Sequence, residues 1–204
     1  MFRELLRQRL AGVASLTAHE LRALEAHYQL LVRWNRVLNL TSIEDLAEIV
    51  ERHYCESIFL AVHLPPGALR VADLGSGAGF PGLPLAVLRP NCTVTLVEVH
   101  RRKAVFLREA SRALPNVRVL PMRFEDVAEA PFDHVVSRAI SYQDLTPALN
   151  RLGSAADLLT GGDAPPANLG FLWETPIRLP WGRNRFLRTG VSRETTEVTV
   201  SRGT

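Results

Sequence analysis

The sequence predicts an α/β protein built on an open, doubly wound sheet, mostly parallel, with an N-terminal helical appendage and a C-terminal antiparallel hairpin. Apolar residues recur at helical spacing up to residue 66, and short apolar runs then alternate with helical stretches. The 204 residues suffice for one sizeable core but not for two ordinary domains. We therefore assign residues 1–66 to the appendage, 67–192 to the sheet domain and 193–204 to a polar tail.

Two helices account for most of the appendage. Apolar side chains recur every three or four positions over residues 17–38, and Thr17 with Glu20 predicts a capping box at the start. The second helix is predicted over residues 44–62, because a Pro-Pro-Gly sequence then breaks the pattern.

The sheet domain shows the order typical of parallel strands joined by crossover helices. Strands are predicted at residues 69–74, 93–97, 117–120 and 134–137. Helices are predicted near residues 82–88, 102–114 and 142–152. Segments 171–179 and 185–191, separated by "PWGRN", predict the antiparallel hairpin.

Composition indicates a soluble globular protein, with 47% hydrophobic and 22% charged residues. No apolar stretch is long enough to cross a bilayer, so we expect no membrane association and a cytoplasmic location. Cys55 and Cys92 form neither a disulfide framework nor a metal-binding pattern, and we expect free thiols and no metal site.

The basic residues are almost all arginines. Only Lys103 among the 24 basic residues is a lysine, a bias that codon usage in a GC-rich genome would explain. Two local clusters, at residues 100–103 and 182–188, are nevertheless compact enough to bind nucleic acid.

A glycine-rich turn, "ADLGSGAGFPG", follows the first predicted strand. Residues 77–82 match the dinucleotide pattern G-x-G-x-x-G, but Asp73 would repel a pyrophosphate placed against this turn. The same carboxylate suits S-adenosylmethionine, which carries an ammonium and a sulfonium. Gly75, Gly77 and Gly79 follow that acid at alternate positions, so the turn favours a methyl donor over a dinucleotide.

Glu98 ends the second predicted strand. An acid at this point can accept hydrogen bonds from both ribose hydroxyls of an adenosine, in a methyl donor or a dinucleotide alike. The alternative is a solvated carboxylate at the end of a strand. Glu98 therefore supports a nucleoside ligand without choosing between the two.

Six blocks carry a family resemblance, in chain order. They are "WNRVLNLTSIED" (34–45), "RHYCES" (52–57), "DLGSGAGFPGLPLAVLRP" (73–90), "LVEVHRRKAVFL" (96–107), "RFED" (123–126) and "VVSRA" (135–139). Together they resemble the ribosomal small-subunit methyltransferase G family, formerly called glucose-inhibited division protein B. The resemblance covers roughly residues 21–152.

The resemblance implies a class I S-adenosylmethionine-dependent methyltransferase with a Rossmann-like sheet. It further implies methylation of N7 of one guanine in the decoding-region loop of 16S ribosomal RNA, within the small subunit or a precursor particle. We expect the protein to be a monomer. By motif it assigns cofactor binding to Gly75, Phe80, Phe124, Glu125 and Arg138. Asp73, Gly77, Gly79 and Glu98 join them on the reasoning above.

Within "RFED", Phe124 would lie against the adenine and Glu125 near its amino edge, as the resemblance implies. Taken alone, a phenylalanine at position 124 is more often a core residue.

Arg138 is the candidate catalytic residue. Guanine N7 has a lone pair and no proton to remove, so positioning takes the place of a general base. Arg138 ends the fourth predicted strand, where it can hold the donor's carboxylate or read guanine O6; the alternative is a surface ion pair. His53 and Ser57 share one helical face, which the resemblance places near the donor or the RNA; in isolation, a helical histidine is usually a packing or capping residue.

The candidate RNA contacts are arginines and one lysine. Arg101, Arg102 and Lys103 begin a helix directly after Glu98, although a charge run at a helix start is equally well explained by solvation. Arg183 and Arg185 are further candidates. Trp181 beside them either stacks on a flipped nucleotide or forms the hairpin tip.

The sequence departs from the family pattern at two places. Glu56 stands where the family commonly has Asp, which is a mild change, and "LLTGGDAPP" replaces a Lys-Gly near the end of the fifth strand. The second departure concerns RNA docking and not cofactor binding. Three other functions stay open: a small-molecule methyltransferase, a nicotinamide-dependent oxidoreductase and an inactive RNA-binding relative.

Overall fold

The fold is known from a computed structural model that describes residues 1–128, 131–166 and 169–193. The α-helices are α1 (Phe2–Arg9), α2 (Ala18–Leu38), α3 (Leu46–Ile49), α4 (Glu56–His63), α5 (Gly82–Leu88), α6 (Arg101–Ala110) and α7 (Tyr142–Leu152). The strands are β1 (Arg70–Leu74), β2 (Thr93–Val97), β3 (Val117–Leu120), β4 (Phe132–Arg138), β5 (Gly153–Thr160), β6 (Phe171–Trp173), β7 (Ile177–Arg178) and β8 (Phe186–Ser192). In the described parts of the chain no helix is long and apolar enough to cross a bilayer.

The predicted appendage helices are confirmed. Thr17 caps α2: its hydroxyl accepts from the Glu20 amide at 3.2 Å, and the Glu20 carboxylate accepts from the Thr17 amide at 2.6 Å. The second predicted helix comprises α3 and α4, joined by a π-helical segment, Val50–Cys55, that was not predicted. A π-helical turn rotates the following side chains relative to an ideal helix, and such turns are frequent at functional sites.

The sheet has the strand order β3-β2-β1-β4-β5-β8-β6, with β7 also paired to β8. Strands β1 to β5 are parallel, and β8 runs antiparallel to both β5 and β6. The chain moves outward from β1 to β3 and then returns to β4 on the other side of β1. The carboxyl ends of β1 and β4 therefore flank the switch point, where open α/β sheets bind their ligands.

The C-terminal hairpin is confirmed in its pairing and corrected in its detail. The segment predicted at residues 171–179 is two short strands, β6 and β7, and both pair with β8. Pro176 lies in the interruption, and a proline has no N–H to donate to a sheet. The bounds of β5 were not predicted, because α7 runs straight into β5 at Gly153 with no intervening loop.

The apolar core continues from the helices into the sheet. One buried cluster joins α1, α2 and α4 to α5, α6 and one face of the sheet, and Tyr54 and Phe106 are among its largest members. A second cluster packs α7 on the opposite face. The predicted boundary at residue 66 thus marks a change of element pattern within one core, and the division into domains stays a prediction. Of the predicted tail, only Arg193 lies within the described residues.

Trp181 is part of this core, which corrects the idea that it stacks on a nucleotide. Its side chain is buried, and its indole N–H donates to the Arg9 carbonyl at 3.1 Å. Its ring meets Phe59 edge to face, with centroids 6.1 Å apart. The segment before β8 is therefore fastened to α1 and α4 by this side chain.

We expect Trp181→Ala to lower the free energy of unfolding by about 3 to 5 kcal/mol, because it opens a cavity between these elements. Trp181→Phe keeps most of the packing and loses one hydrogen bond, so about 1 kcal/mol is expected. Urea denaturation followed by circular dichroism measures both values. An unchanged midpoint for Trp181→Ala would contradict the buried position.

Candidate functional site

The glycine-rich turn leaves β1 at the switch point and takes a conformation that side chains disfavour. Gly75, Gly77 and Gly79 have φ angles of +69°, +55° and +90°, in the left-handed region. A Cβ on Gly75 would clash with the end of the Ile140 side chain, so that side chain would have to shift. The turn is thus bare backbone where it faces the Ile140 side chain.

Hydrogen bonds from β2 hold the turn against the sheet. The amides of Gly75 and Ser76 both donate to the Val97 carbonyl, at 2.9 and 3.1 Å. The Glu98 carboxylate accepts from the Gly77 amide at 2.9 Å and, through its other oxygen, from the His100 amide at 2.8 Å. Glu98 therefore braces both the turn and the start of α6, and each of its oxygens keeps a second lone pair for a ligand.

Asp73 lies beneath the turn and is fully buried. Its Oδ2 accepts from the Gly82 amide at 3.0 Å, at the beginning of α5, while Oδ1 has no hydrogen-bond partner among the described residues. Burial raises the pKa of Asp73 to about 7, against the opposing effect of the Gly82 amide. A buried carboxyl oxygen without a partner is costly, and a ligand that brings a donor or a positive charge would relieve that cost.

Arg138 ends β4 and is anchored to the helical layer. Its Nη1 donates to the Arg52 carbonyl and to Nδ1 of His53, both at 2.7 Å, and its guanidinium lies 5.4 Å from the centre of the Phe80 ring. Desolvation lowers the pKa of Arg138 to about 10, so the group stays charged at neutral pH. Its partners are a carbonyl and an imidazole rather than a surface carboxylate, and its contact with a donor stays a prediction.

His53 takes a fixed tautomer because of this contact. Arginine can only donate, so Nδ1 of His53 accepts and Nε2 carries the proton, which it donates to Thr41 Oγ1 at 2.8 Å. Burial, and next the charge of Arg138, lower the pKa of His53 to about 3. Ser57 is buried, and its hydroxyl donates to the His53 carbonyl.

Phe80 is buried between the rings of His27 and His53, at centroid distances of 5.1 and 4.7 Å. The structure thus places it beneath the turn, as support for Arg138. Its assignment to cofactor binding stays a prediction.

Phe124 and Glu125 lie in a 3₁₀ turn, Phe124–Asp126, after β3. Phe124 is half-buried and Glu125 is exposed. Arg151 donates to the carbonyls of both, at 3.1 and 2.8 Å, and so fixes the turn. Sequence reasoning did not find Arg151, because its partners are carbonyls on another element.

Arg185 forms a bidentate ion pair with Glu56. Its Nε and Nη2 donate to the two carboxylate oxygens at 2.9 and 2.7 Å, and Arg52 approaches the same carboxylate at 3.3 Å. Glu56 is fully buried, so this pair is needed to compensate a buried charge. The Arg185 guanidinium is therefore already paired inside the protein, and RNA binding by Arg185 stays a prediction.

The other candidate RNA contacts lie at the surface. Arg101 and Arg102 are exposed and Lys103 is half-buried at the start of α6, next to the turn that Glu98 braces. Arg183 is exposed in the segment before β8. These four positions put positive charge in solvent, and their contact with RNA stays a prediction.

Solved structures of low sequence identity show the fold. A SAM dependent methyltransferase from Aquifex aeolicus superposes with a TM-score of 0.60 at 14% identity, over 74% of this chain and 96% of that one. A ribosomal protein L11 methylase from Lactobacillus delbrueckii subsp. bulgaricus gives 0.57 at 14% identity, over 74% and 81%. The predicted class I methyltransferase fold is confirmed.

Curated relatives share more of the sequence. Two are named Ribosomal RNA small subunit methyltransferase G: one from Xanthomonas axonopodis pv. citri is 49% identical over 54% of this chain and 53% of its own length, and one from Methylobacillus flagellatus is 38% identical over 80% and 82%. The chain thus spans about half the length of the Xanthomonas relative that it matches. The sequence model described as rRNA small subunit methyltransferase G (GidB) matches residues 20–158. Since that match covers more than half of the chain, the protein belongs to the rRNA small subunit methyltransferase G family.

Proposed function

We propose that this protein transfers a methyl group from S-adenosylmethionine to N7 of a guanine in the decoding-region loop of 16S ribosomal RNA. The observation that carries the proposal is the buried carboxyl of Asp73, which lies beneath a bare glycine turn with one oxygen unpaired. A cationic nucleoside satisfies that oxygen, whereas a pyrophosphate would be repelled by it. The methyl acceptor, 16S ribosomal RNA, is inferred from membership of the family.

The residues at or after the ends of β1, β2 and β3 have the chemistry that this cofactor needs. Asp73 and the glycine turn would hold its charged amino-acid part, and Glu98 would hold the ribose. Phe124 and Glu125 in the 3₁₀ turn would contact the adenine. S-adenosylmethionine supplies a methyl group made electrophilic by its attachment to a sulfonium.

Arg138 would hold the target guanine. A guanidinium that donates to O6 also places N7 beside it, since the two acceptors share one edge of the base. Neutral His53 keeps one side of the Arg138 fork occupied, and thereby fixes the direction of the remaining N–H groups. Because N7 loses no proton, orientation of the two reactants is the main contribution required of the protein.

RNA binding would rest on the exposed positive charges at the start of α6 and on Arg183, with Arg185 contributing only if its pair with Glu56 opens. The acceptor would be the small ribosomal subunit or a precursor particle, in the cytoplasm. The protein would act as a monomer.

A tritium-methyl transfer assay on small subunits from a strain that lacks the enzyme tests the proposal. We expect incorporation into 16S ribosomal RNA at one site that 7-methylguanosine-specific cleavage reveals. Incorporation only into a small molecule would favour a metabolite methyltransferase instead. Binding of NADH in place of S-adenosylmethionine would favour an oxidoreductase.

Donor binding should depend on pH through Asp73. The cationic donor prefers the carboxylate, and a pKa of about 7 in the free protein leaves the carboxyl mostly protonated below that pH. Affinity for S-adenosylmethionine should therefore rise about tenfold between about pH 6 and pH 8. In Asp73→Asn the affinity should be low at both pH values and the slope lost, as measured by calorimetry.

The matched control is Asp133→Asn, which makes the same chemical change at the other end of the sheet, where Asp133 accepts from the Arg70 amide. It should keep the wild-type pH slope. If Asp73→Asn kept the wild-type pH dependence of affinity, another group would be responsible for the titration, and Asp73 would not be part of the donor site.

Replacing Arg138 by Lys should lower the rate of methyl transfer at saturating donor by at least about tenfold, since an ammonium cannot reproduce the planar fork. Single-turnover measurements on small subunits give this rate. Arg70→Lys, at the amino end of β1, is the control and should react at the wild-type rate. If Arg138→Lys reacted at the wild-type rate, the role of Arg138 would be limited to its hydrogen bonds with the helical layer.

A further inference from the structure

His27 connects the helical layer to the glycine turn. It lies on α2, 51 residues before Ala78, and its Nε2 is 3.0 Å from the Ala78 carbonyl oxygen. A carbonyl can only accept, so Nε2 carries the proton. Nδ1 then accepts from the Tyr54 hydroxyl at 3.1 Å, and a chain of two hydrogen bonds runs from Tyr54 through His27 to the turn.

These two hydrogen bonds are sheltered from water. His27 is 6% exposed and Tyr54 is fully buried, while the Phe80 and Phe106 rings lie 5.1 and 6.0 Å from the imidazole. Burial lowers the pKa of His27 to about 4, so the ring is neutral and both nitrogens have one partner each. Breaking either hydrogen bond would leave a buried polar group unpaired, which makes the pair persistent.

Ala78 is the point where the turn needs such a contact. It lies between Gly77 and Gly79, both in the left-handed region, and glycines leave the backbone many alternative conformations. The sheet holds the amides of Gly75, Ser76 and Gly77 from one side, through Val97 and Glu98. The His27 side chain holds the Ala78 carbonyl from the helical side, so the turn is fixed between two layers.

We propose that His27, oriented by Tyr54, is a positioning residue that pre-organises the glycine turn for the methyl donor. A turn already held in its binding conformation loses less conformational entropy when the ligand arrives, and the ligand therefore binds more tightly. The proposal takes the identity of the ligand from the proposed function. The fixing of the turn itself does not depend on that identity.

Three variants separate this role from general stability. His27→Phe keeps an aromatic ring and removes both hydrogen bonds. His27→Gln keeps a donor near the position of Nε2 and should restore the bond to Ala78. Leu21→Ala is the control: Leu21 is buried on the same helix, about 9 Å along its axis from His27, and the substitution opens a cavity away from the turn.

The first measurement is amide hydrogen exchange over residues 75–80 in the protein without donor. His27→Phe should exchange at least about tenfold faster than wild type in this segment, and His27→Gln should stay close to wild type. Leu21→Ala should lower Tm without a selective change there. Wild-type exchange in His27→Phe, or equal acceleration in Leu21→Ala, would overturn the proposal.

The second measurement is the Kd for S-adenosylmethionine. His27→Phe should weaken binding about tenfold while kcat at saturating donor stays within about twofold, and His27→Gln should recover most of the affinity. Equal Kd values for wild type and His27→Phe would overturn the inference and leave the proposed function standing. Absence of binding by the wild type would overturn the proposed function, while hydrogen exchange would still decide the role of His27.

Should His27→Phe fail to fold, Tyr54→Phe replaces it. This variant removes only the hydroxyl that orients Nδ1, so faster exchange and weaker binding in the same direction are expected, with smaller magnitudes. Wild-type behaviour of Tyr54→Phe in both measurements would remove Tyr54 from the proposal and, with no folded His27→Phe, would count against it.

Discussion

The site depends on one constraint: a turn of nearly bare backbone has to keep a single shape. Its left-handed glycines supply close approach but no side-chain packing, so contacts from the surrounding layers have to add to the turn's own hydrogen bond from the Gly79 amide to the Ser76 carbonyl. Val97 and Glu98 bind its amides from the sheet, and His27 binds its carbonyl from the helices. Buried polar side chains thus bind backbone atoms of the turn directly.

The helical layer is part of the site for the same reason. His27 and His53 enclose Phe80 and reach the ends of β1 and β4 through Ala78 and Arg138. Both imidazoles are neutral, so each can accept on one nitrogen and donate on the other. The histidines therefore transmit the position of the helices to the turn and to the arginine without adding charge beside a cationic ligand.

The elements that could be predicted from the sequence are those that a local pattern of residues determines. Helical spacing gave α2 with its Thr17 cap, and alternation of apolar runs gave β1 to β4 with the glycine turn at the switch point. Sequence reasoning missed the start of β5, where no loop separates helix from strand. It also missed the contact of Arg151 with Glu125 and the pair of Glu56 with Arg185. The partners are 26 and 129 positions apart in the sequence, and only the folded structure brings them together.

The position of β8 has a consequence for biosynthesis. Residues 186–192 lie between β5 and β6 and also pair with β7, so the strand that follows β5, β6 and β7 in sequence becomes an interior strand. During translation the growing polypeptide leaves the exit tunnel from its amino end, and β5 cannot complete its pairing with β8 until residues 186–191 have emerged. The apolar edge of β5 is unpaired in this interval, so pausing or premature termination before β8 has emerged exposes the nascent protein to aggregation.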